Sequence, residues 1–159
     1  MFLRWVFGGY VTPSKKRCRI PSKERMENEL AAALAGRAAE EILGGSTDHY
    51  TIGATKDIED ATGIAKKMVR KWGMSEKIGP VCHGRKTSEQ KRQEIEREVE
   101  ALVKKAQCTA TQTLRAHEPA LHRLAEALLE RKTLSYDEVV EIVQPCLPSG
   151  KQLTLELVA

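Results

Sequence analysis

The amino-acid sequence predicts a mainly α-helical domain with a small β element at its N-terminus. In several separate segments apolar residues recur every three or four positions, which is the period of one face of an α-helix. Serine, threonine or proline begins most of these segments, and glycine or proline follows them. Only 4% of the 159 residues are aromatic whereas 41% are hydrophobic. We therefore expect a compact multi-helix core of aliphatic side chains and alanine.

The first twenty residues differ in pattern from the rest of the chain. Aromatic and β-branched residues surround Gly8-Gly9, and Pro13 and the basic run Lys15–Arg19 follow. This pattern predicts one or two short strands, a turn and a basic loop. The basic run is a candidate contact for nucleic acid or an anionic membrane, but a solvated surface loop is the better explanation. We expect no nucleic-acid partner.

Two helices are predicted in the first half of the chain. Ser22 can cap the first helix, which ends at Gly44-Gly45. Its apolar residues are Met26, Leu30, Ala33, Leu34, Ala38 and Ile42. Residues 46–54 have no period and are predicted to form a loop. The second helix is expected to start at Thr55 and stop at Gly73. Its inward side carries Ile58, Ala61, Ala65, Met68, Val69 and Trp72.

A connection over residues 74–86 leads to a long third helix. Thr87 and Gln90 have the spacing of a capping box, which would open this helix. Its predicted apolar face consists of Ile95, Val99, Leu102, Val103, Ala106, Ala110 and Leu114. The acidic and basic residues that alternate on the opposite side allow ion pairs one helical turn apart.

Two shorter helices complete the predicted fold. Pro119 suits the first turn of the fourth helix. The inward residues of that helix are predicted to be Leu121, Leu124, Ala125, Leu128 and Leu129. Ser135 and Glu138 have the spacing of a second capping box, before a short helix that runs to Val143. Prolines at 145 and 148 end the helical part.

Charge and cysteine usage limit the function classes. The net charge is +4, but 26 basic and 22 acidic residues interleave along most of the chain, as on solvated helix faces. The four cysteines lie far apart without a CxxC pair, which favours free thiols in a reducing compartment. No apolar stretch is long enough to span a membrane, so we expect a soluble chain.

Without reference to any family, the residues of this sequence show no catalytic motif. The sequence contains no HExxH, which would place two zinc-binding histidines one helical turn apart, and no Gly-x-Ser-x-Gly. His117 and His122 are five positions apart, and Pro119 separates them, so they are predicted not to share a metal. His49 and His83 are single loop histidines, for which a surface role is the simpler interpretation.

Three segments carry a family resemblance: residues 33–42 (ALAGRAAEEI), 51–58 (TIGATKDI) and 71–80 (KWGMSEKIGP). In this order and spacing the chain resembles the peptidase domain, of the M41 type, of the membrane-bound ATP-dependent zinc metalloproteases, the FtsH-like AAA proteases. The likeness extends to about Val143. It implies one helical peptidase-like domain over residues 1–144, in which 1–20 form the strands and basic loop, and a tail over 145–159.

The resemblance implies particular site residues and partners. Asp57 matches the aspartate that is the third zinc ligand in this family, although a first-turn carboxylate can also serve the helix alone. Glu40 and Glu41 match an Ala-Glu-Glu sequence near the active site. For them, support of the metal-binding helix and an ordinary surface role remain alternatives. The family implies zinc, unfolded or membrane protein substrates, and a hexameric ring anchored in the bacterial or mitochondrial inner membrane or in the chloroplast.

The chain departs from the family pattern because it lacks HExxH, the motif that supplies two zinc ligands and the general base in this family. We expect this chain to have little or no peptidase activity alone and to bind no zinc by itself. The absence is explained by truncation of a protease or by a degenerate relative. The alternatives to a protease part are a non-catalytic scaffold or oligomerisation module and, less favoured, a nucleic-acid-binding helical domain.

Overall fold

A computed structural model describes residues 20–45, 51–84 and 86–146, and within these ranges the chain is helical without a strand. The helices are α1 (Lys23–Leu43), α2 (Thr55–Arg70), α3 (Glu89–Ala116), α4 (Glu118–Arg131) and α5 (Tyr136–Val143). Short 3-10 helices occupy Ile52–Ala54 and Gln144–Cys146. The mainly α prediction is confirmed. The predicted N-terminal strands, the basic run at 15–19 and His49 lie outside the described residues, as does most of the predicted tail.

Helix α1 begins and ends as the sequence predicts. The side chain of Ser22 accepts a hydrogen bond from the backbone N–H of Arg25 at 3.2 Å, which satisfies one of the free donors of the first turn. At the other end the N–H of Gly44 donates to the carbonyl of Glu40 at 2.8 Å, and Gly45 has a φ of 70°. The buried face of α1 is Met26, Leu30, Leu34 and Ala38.

Residues 20–113 form one compact unit around α1, α2 and most of α3. Its core joins side chains of all three helices and of the connection after α2: Met26, Leu30, Leu34, Ala61, Ala65, Met68, Val69, Ile78, Ile95, Val99 and Ala106. Ala61 and Ala65 are completely buried, and their small side chains allow α2 to approach its neighbours closely. The aliphatic and alanine-rich core predicted from composition is therefore present.

The connection between α2 and α3 is held by a buried hydroxyl. Ser75 is 3% exposed, donates to Glu98 of α3 at 3.0 Å and accepts from the N–H of Ile78 at 3.2 Å. Lys77 adds an ion pair to the same carboxylate at 3.4 Å. These bonds fix the described part of the connection against α3 without regular secondary structure.

The described residues from 114 onward belong to a second compact unit. Pro119 lies in the first turn of α4, and a complete capping box links Ser135 and Glu138 before α5, so both predictions are confirmed. The Ser135 N–H donates to the Glu138 carboxylate at 2.7 Å. Leu129 was predicted to face inward but is 68% exposed, because α4 buries a narrower stripe that contains Ala120 and Leu128.

Two further details differ from the sequence-based expectations. Helix α2 ends at Arg70 rather than at Gly73, so Trp72 leaves the helical period and is 43% exposed. Helix α3 begins at Glu89, and the residue whose hydroxyl accepts from the first turn is Ser88, bonded to the Lys91 N–H at 3.4 Å. Thr87 instead donates to the carbonyl of Gly84, so the predicted capping box with Gln90 does not form.

Two further features are the state of the cysteines and the hydropathy of the helices. Cys82, Cys108 and Cys146, the three cysteines in the described ranges, are free thiols. None of the helices in those ranges is both long and apolar enough to cross a bilayer.

Candidate functional site

The candidate site is built around the start of α2, where the structure places Asp57 in the first helical turn. The chain enters this turn through the 3-10 helix Ile52–Ala54. The hydroxyl of Thr51 accepts from the Gly53 N–H at 3.2 Å, and the hydroxyl of Thr55 donates to the Ile52 carbonyl at 2.7 Å. These local bonds determine the direction in which α2 starts and so the position of Asp57.

A carboxylate from α1 holds this entry in place. One oxygen of Glu40 accepts from the backbone N–H of Thr51 at 2.6 Å, and the other accepts from the Thr51 hydroxyl at 3.1 Å. Because Thr51 in turn binds Gly53, the bonds run in sequence from α1 to the 3-10 helix. Glu40 therefore supports the segment that precedes Asp57. The support of a metal-binding helix considered for it from sequence stays a prediction.

Glu41 follows the other interpretation that the sequence left open. It forms an ion pair one turn apart with Arg37 on the same helix, at 3.2 Å. Such a pair contributes a few tenths of a kilocalorie per mole to a helix and does not reach the start of α2. Of the two adjacent glutamates only Glu40 belongs to the candidate site.

The environment of Asp57 disfavours its charge. Partial burial raises the pKa of the Asp57 carboxyl, and the negative charge of Asp60 raises it further. The carboxylate lies near Gly36 of α1, where an added methyl group would be 3.8 Å from Asp57 Oδ2. Asp60 is compensated by Lys56 at 2.8 Å, whereas no cation of a described residue lies within 4.0 Å of the Asp57 carboxylate.

A carboxylate that is partly desolvated and has no cationic partner is chemically suited to bind a metal ion. Asp57 therefore fits the role of one zinc ligand. The described residues do not complete a zinc site, however, because they contain no group of three or more His, Cys, Asp or Glu side chains that could hold a metal. No hydrolytic step can be derived from them.

The histidines lie away from the Asp57 carboxylate in the chain and have other surroundings. His117 and His122 flank the start of α4, and His122 lies 3.7 Å from Glu118 rather than facing His117 across a metal. No third ligand accompanies them in the part of the chain that the structure describes. His83, expected at the surface, is half-buried, and its Nε2 is buried without a hydrogen-bond partner among those residues.

Sequence reasoning missed Thr51, the residue that connects Glu40 to the entry of α2. A signal was available, because a threonine two residues before a glycine can accept from the glycine N–H in a local turn. The sequence does not reveal that Glu40, eleven positions upstream, accepts hydrogen bonds from both the backbone N–H and the hydroxyl of Thr51.

Comparisons with known proteins all match this chain to one peptidase family. Residues 7–142 match peptidase family M41. The chain is 40% identical over 139 residues to ATP-dependent zinc metalloprotease FTSH 9, chloroplastic/mitochondrial, of Oryza sativa subsp. japonica, a match that covers 86% of this chain and 18% of the rice protein. It is 38% identical to ATP-dependent zinc metalloprotease FtsH of Neorickettsia risticii, with 77% of this chain and 20% of that protein covered.

A third relative, ATP-dependent zinc metalloprotease FtsH of Rickettsia bellii, is 37% identical over 157 residues. That match covers 91% of this chain and 24% of the bacterial protein. The chain thus spans about a fifth of the length of the curated relatives that it matches.

Proposed function

This chain belongs to peptidase family M41, and we propose that it is the distal part of the zinc metallopeptidase domain of a membrane-bound ATP-dependent protease. The observation that carries the proposal is the state of Asp57: a first-turn carboxylate, partly desolvated and without a cationic partner in the described ranges. The Glu40–Thr51 bonds hold the segment that precedes it. A carboxylate at this position with no cationic partner among the described residues is available to bind a metal ion.

In a complete site, Asp57 would be the third zinc ligand beside the two histidines of an HExxH helix. Bound zinc would activate a water molecule for attack on a peptide bond. This chain contributes the orientation of one ligand: Gly36 leaves room beside the carboxylate, and Glu40 and Thr51 fix the turn in front of it.

We propose that the chain is inactive alone. Its sequence has no HExxH, and the described residues form no three-ligand metal group. One ligand does not hold zinc in an open catalytic site, which takes three protein ligands. Peptidase activity, zinc binding, polypeptide substrates, ring assembly and membrane anchoring are therefore proposed for the complete protein. The first two agree with the names of its relatives, which are ATP-dependent zinc metalloproteases.

The experiment joins this chain to an HExxH-containing segment of an M41 peptidase and measures hydrolysis of an unfolded polypeptide. We expect zinc-dependent hydrolysis by the joined protein and none by the chain alone. Asp57→Ala should abolish the activity, and Asp60→Ala, three residues further along α2, should retain most of it. Full activity of the Asp57→Ala protein would reject the ligand assignment.

A non-catalytic scaffold or oligomerisation module is the second candidate. Its support is the core of residues 20–113, in which α1, α2 and α3 pack around one another without help from a metal-binding histidine helix. Sedimentation of the chain over a range of concentrations, alone and with a competent family member, tests this candidate. Association would favour it, and a monomer under all conditions would count against it.

A further inference from the structure

The C-terminal end of α2 and the chain that follows it form a second surface, separate in sequence from Asp57. The backbone turns after α2 and returns alongside it: the His83 N–H donates to the Arg70 carbonyl at 2.8 Å, and the Arg70 side chain donates to the Gly84 carbonyl at 3.4 Å. Gly73 also lies directly against Pro80. Residues 67–73 and 80–84 therefore contribute to one surface, called here the α2-exit surface together with Lys86, which follows two residues later in the chain.

The α2-exit surface carries unpaired positive charge. Lys67, Lys71 and Lys86 are exposed, and no carboxylate of a described residue lies within 4.0 Å of any of them. Lysines elsewhere in the same unit do have such partners. Lys105, for example, pairs with Glu27 at 2.9 Å. The absence of acidic partners is thus a local property of this surface.

The same surface exposes apolar side chains. Trp72 is 43% exposed and Val81 is 51% exposed, and Pro80 beside Gly73 is also exposed. Large apolar side chains next to unpaired cations are typical of surfaces that bind a partner, because burial of the apolar part and neutralisation of the charge both occur on binding. Tryptophan and arginine are the residue types most enriched at such contacts.

We propose that the α2-exit surface is an auxiliary binding site for extended polypeptide segments that combine acidic and apolar residues. Charge complementarity requires an anionic partner, and Trp72 and Val81 require apolar side chains within it. The link of this surface to proteolysis rests on the proposed function. The binding itself does not.

The distance to Asp57 sets the length of such a partner. Asp57 and Arg70 are thirteen residues apart on α2, which at 1.5 Å per residue corresponds to about 20 Å along the helix. An extended chain advances about 3.3 Å per residue, so about six residues bridge that distance. A polypeptide held at the α2-exit surface could thus extend to Asp57 if about six or more residues follow its bound segment. In the complete protease, the bond to be cleaved would lie at that distance from the bound segment.

Nucleic acid fits this surface less well. Binding of single strands depends on several aromatic side chains that stack on successive bases. Trp72 is the one Phe, Tyr or Trp among the residues that form this surface, and the imidazole of His83 is half-buried. Val81 and Pro80 offer contact area to aliphatic side chains but no stacking platform.

The test measures binding of fluorescently labelled peptides of about fifteen residues to this chain by anisotropy. An unstructured peptide with Asp, Glu, Leu and Phe should bind, with an affinity that falls as salt is raised. A peptide with Lys in place of Asp and Glu should bind at least about tenfold more weakly. Equal binding of both peptides, or tighter binding of an oligonucleotide of the same net charge, would overturn the proposal.

Single substitutions locate the site. Lys71→Glu and Trp72→Ala should each weaken binding of the acidic peptide about fivefold or more. Lys104→Glu, the same charge reversal at an exposed position of α3, is the matched control and should have little effect. Equal effects of Lys71→Glu and Lys104→Glu would show that only net charge matters and would reject a local site.

A second arm separates this inference from the proposed function. In the protein joined to an HExxH segment, Lys71→Glu should raise KM for long acidic substrates but leave KM for peptides of about five residues unchanged, since short peptides cannot reach across about 20 Å. Absence of any hydrolysis would contradict the proposed function and leave the peptide-binding result valid. An equal KM increase for short and long substrates would contradict the auxiliary site.

Discussion

The backbone N–H of Thr51 donates to a carboxylate oxygen of Glu40 at 2.6 Å, and this bond links α1 to the segment that leads into α2. A second bond, from the Thr51 hydroxyl to the other oxygen of Glu40, strengthens the link. Asp57 lies in the first turn of α2, six residues after Thr51, so the position of the candidate ligand depends on a contact with a different helix.

Glu40→Ala removes both bonds and should lower the free energy of unfolding by about 1–2 kcal/mol. This lies near the low end of the range of about 1.5–3 kcal/mol for bonds to a charged group, because both bonds are exposed to solvent. Amide exchange at Thr51 and Gly53 should accelerate. The Thr51 N–H loses its acceptor, and the Gly53 N–H keeps an acceptor, the Thr51 hydroxyl, that Glu40 no longer holds in place. Glu41→Ala is the matched control, since it loses only the pair with Arg37. Thermal unfolding and amide exchange measure both effects, and equal destabilisation by the two substitutions would contradict the assigned role of Glu40.

Much of the fold was predictable because helical periods and end signals are local. The Ser22 cap and the Ser135–Glu138 capping box were predicted from spacing and are present. The errors arise where tertiary contacts override local pattern: α2 ends early as the chain turns back at Gly73, and Trp72 then lies at the surface.

The candidate site was predictable only in part, for a similar physical reason. The position of Asp57 in a first helical turn follows from local sequence. Its proximity to Gly36 does not, because that depends on how closely α1 and α2 pack. The bond between Thr51 and Glu40 depends on the same packing.

Gly36 tests the packing beside Asp57. A methyl group at this position would lie 3.8 Å from Asp57 Oδ2, an ordinary contact, and alanine is favoured over glycine within a helix by about 0.5–1 kcal/mol. Gly36→Ala should therefore raise the free energy of unfolding by about that amount. Gly36→Leu should not, because its larger side chain would displace the Asp57 carboxylate. Denaturant unfolding distinguishes the two, and a destabilising alanine would contradict the described contact.

Asp57 gives a pH-dependent prediction. Its pKa in the folded chain is raised, so folding favours the protonated form, and stability falls as pH rises from the unfolded pKa through the folded one. Without metal, Asp57→Asn should thus be slightly stabilising at neutral pH, by less than about 0.5 kcal/mol because the residue is mostly exposed. The difference should vanish below about pH 3.9, the ordinary carboxyl pKa. Thermal unfolding at acidic and neutral pH measures it, and a destabilising Asn at neutral pH would show that the helix dipole outweighs burial.

The turn after α2 depends on Gly73. Its φ is 62°, and an added Cβ would lie 2.6 Å from Pro80 Cα, a backbone atom that cannot move away cheaply. Gly73→Ala should cost about 3 kcal/mol, from the left-handed conformation and the clash together. Gly79→Ala is the matched control, because Gly79 has a φ of 80° but open space around it, and should cost only about 1 kcal/mol. Similar losses at both positions would contradict the close approach of Gly73 to Pro80.

The most direct test of the central claim, that Asp57 supplies a zinc ligand in the complete site, is a zinc titration of this chain joined to an HExxH-containing M41 segment. We predict one tightly bound zinc per chain and an affinity reduced at least about 100-fold by Asp57→Ala, since loss of even a supporting residue costs 10–100-fold. Asp60→Ala should leave the affinity nearly unchanged. Equal zinc affinity of the Asp57→Ala and parent proteins would contradict the account.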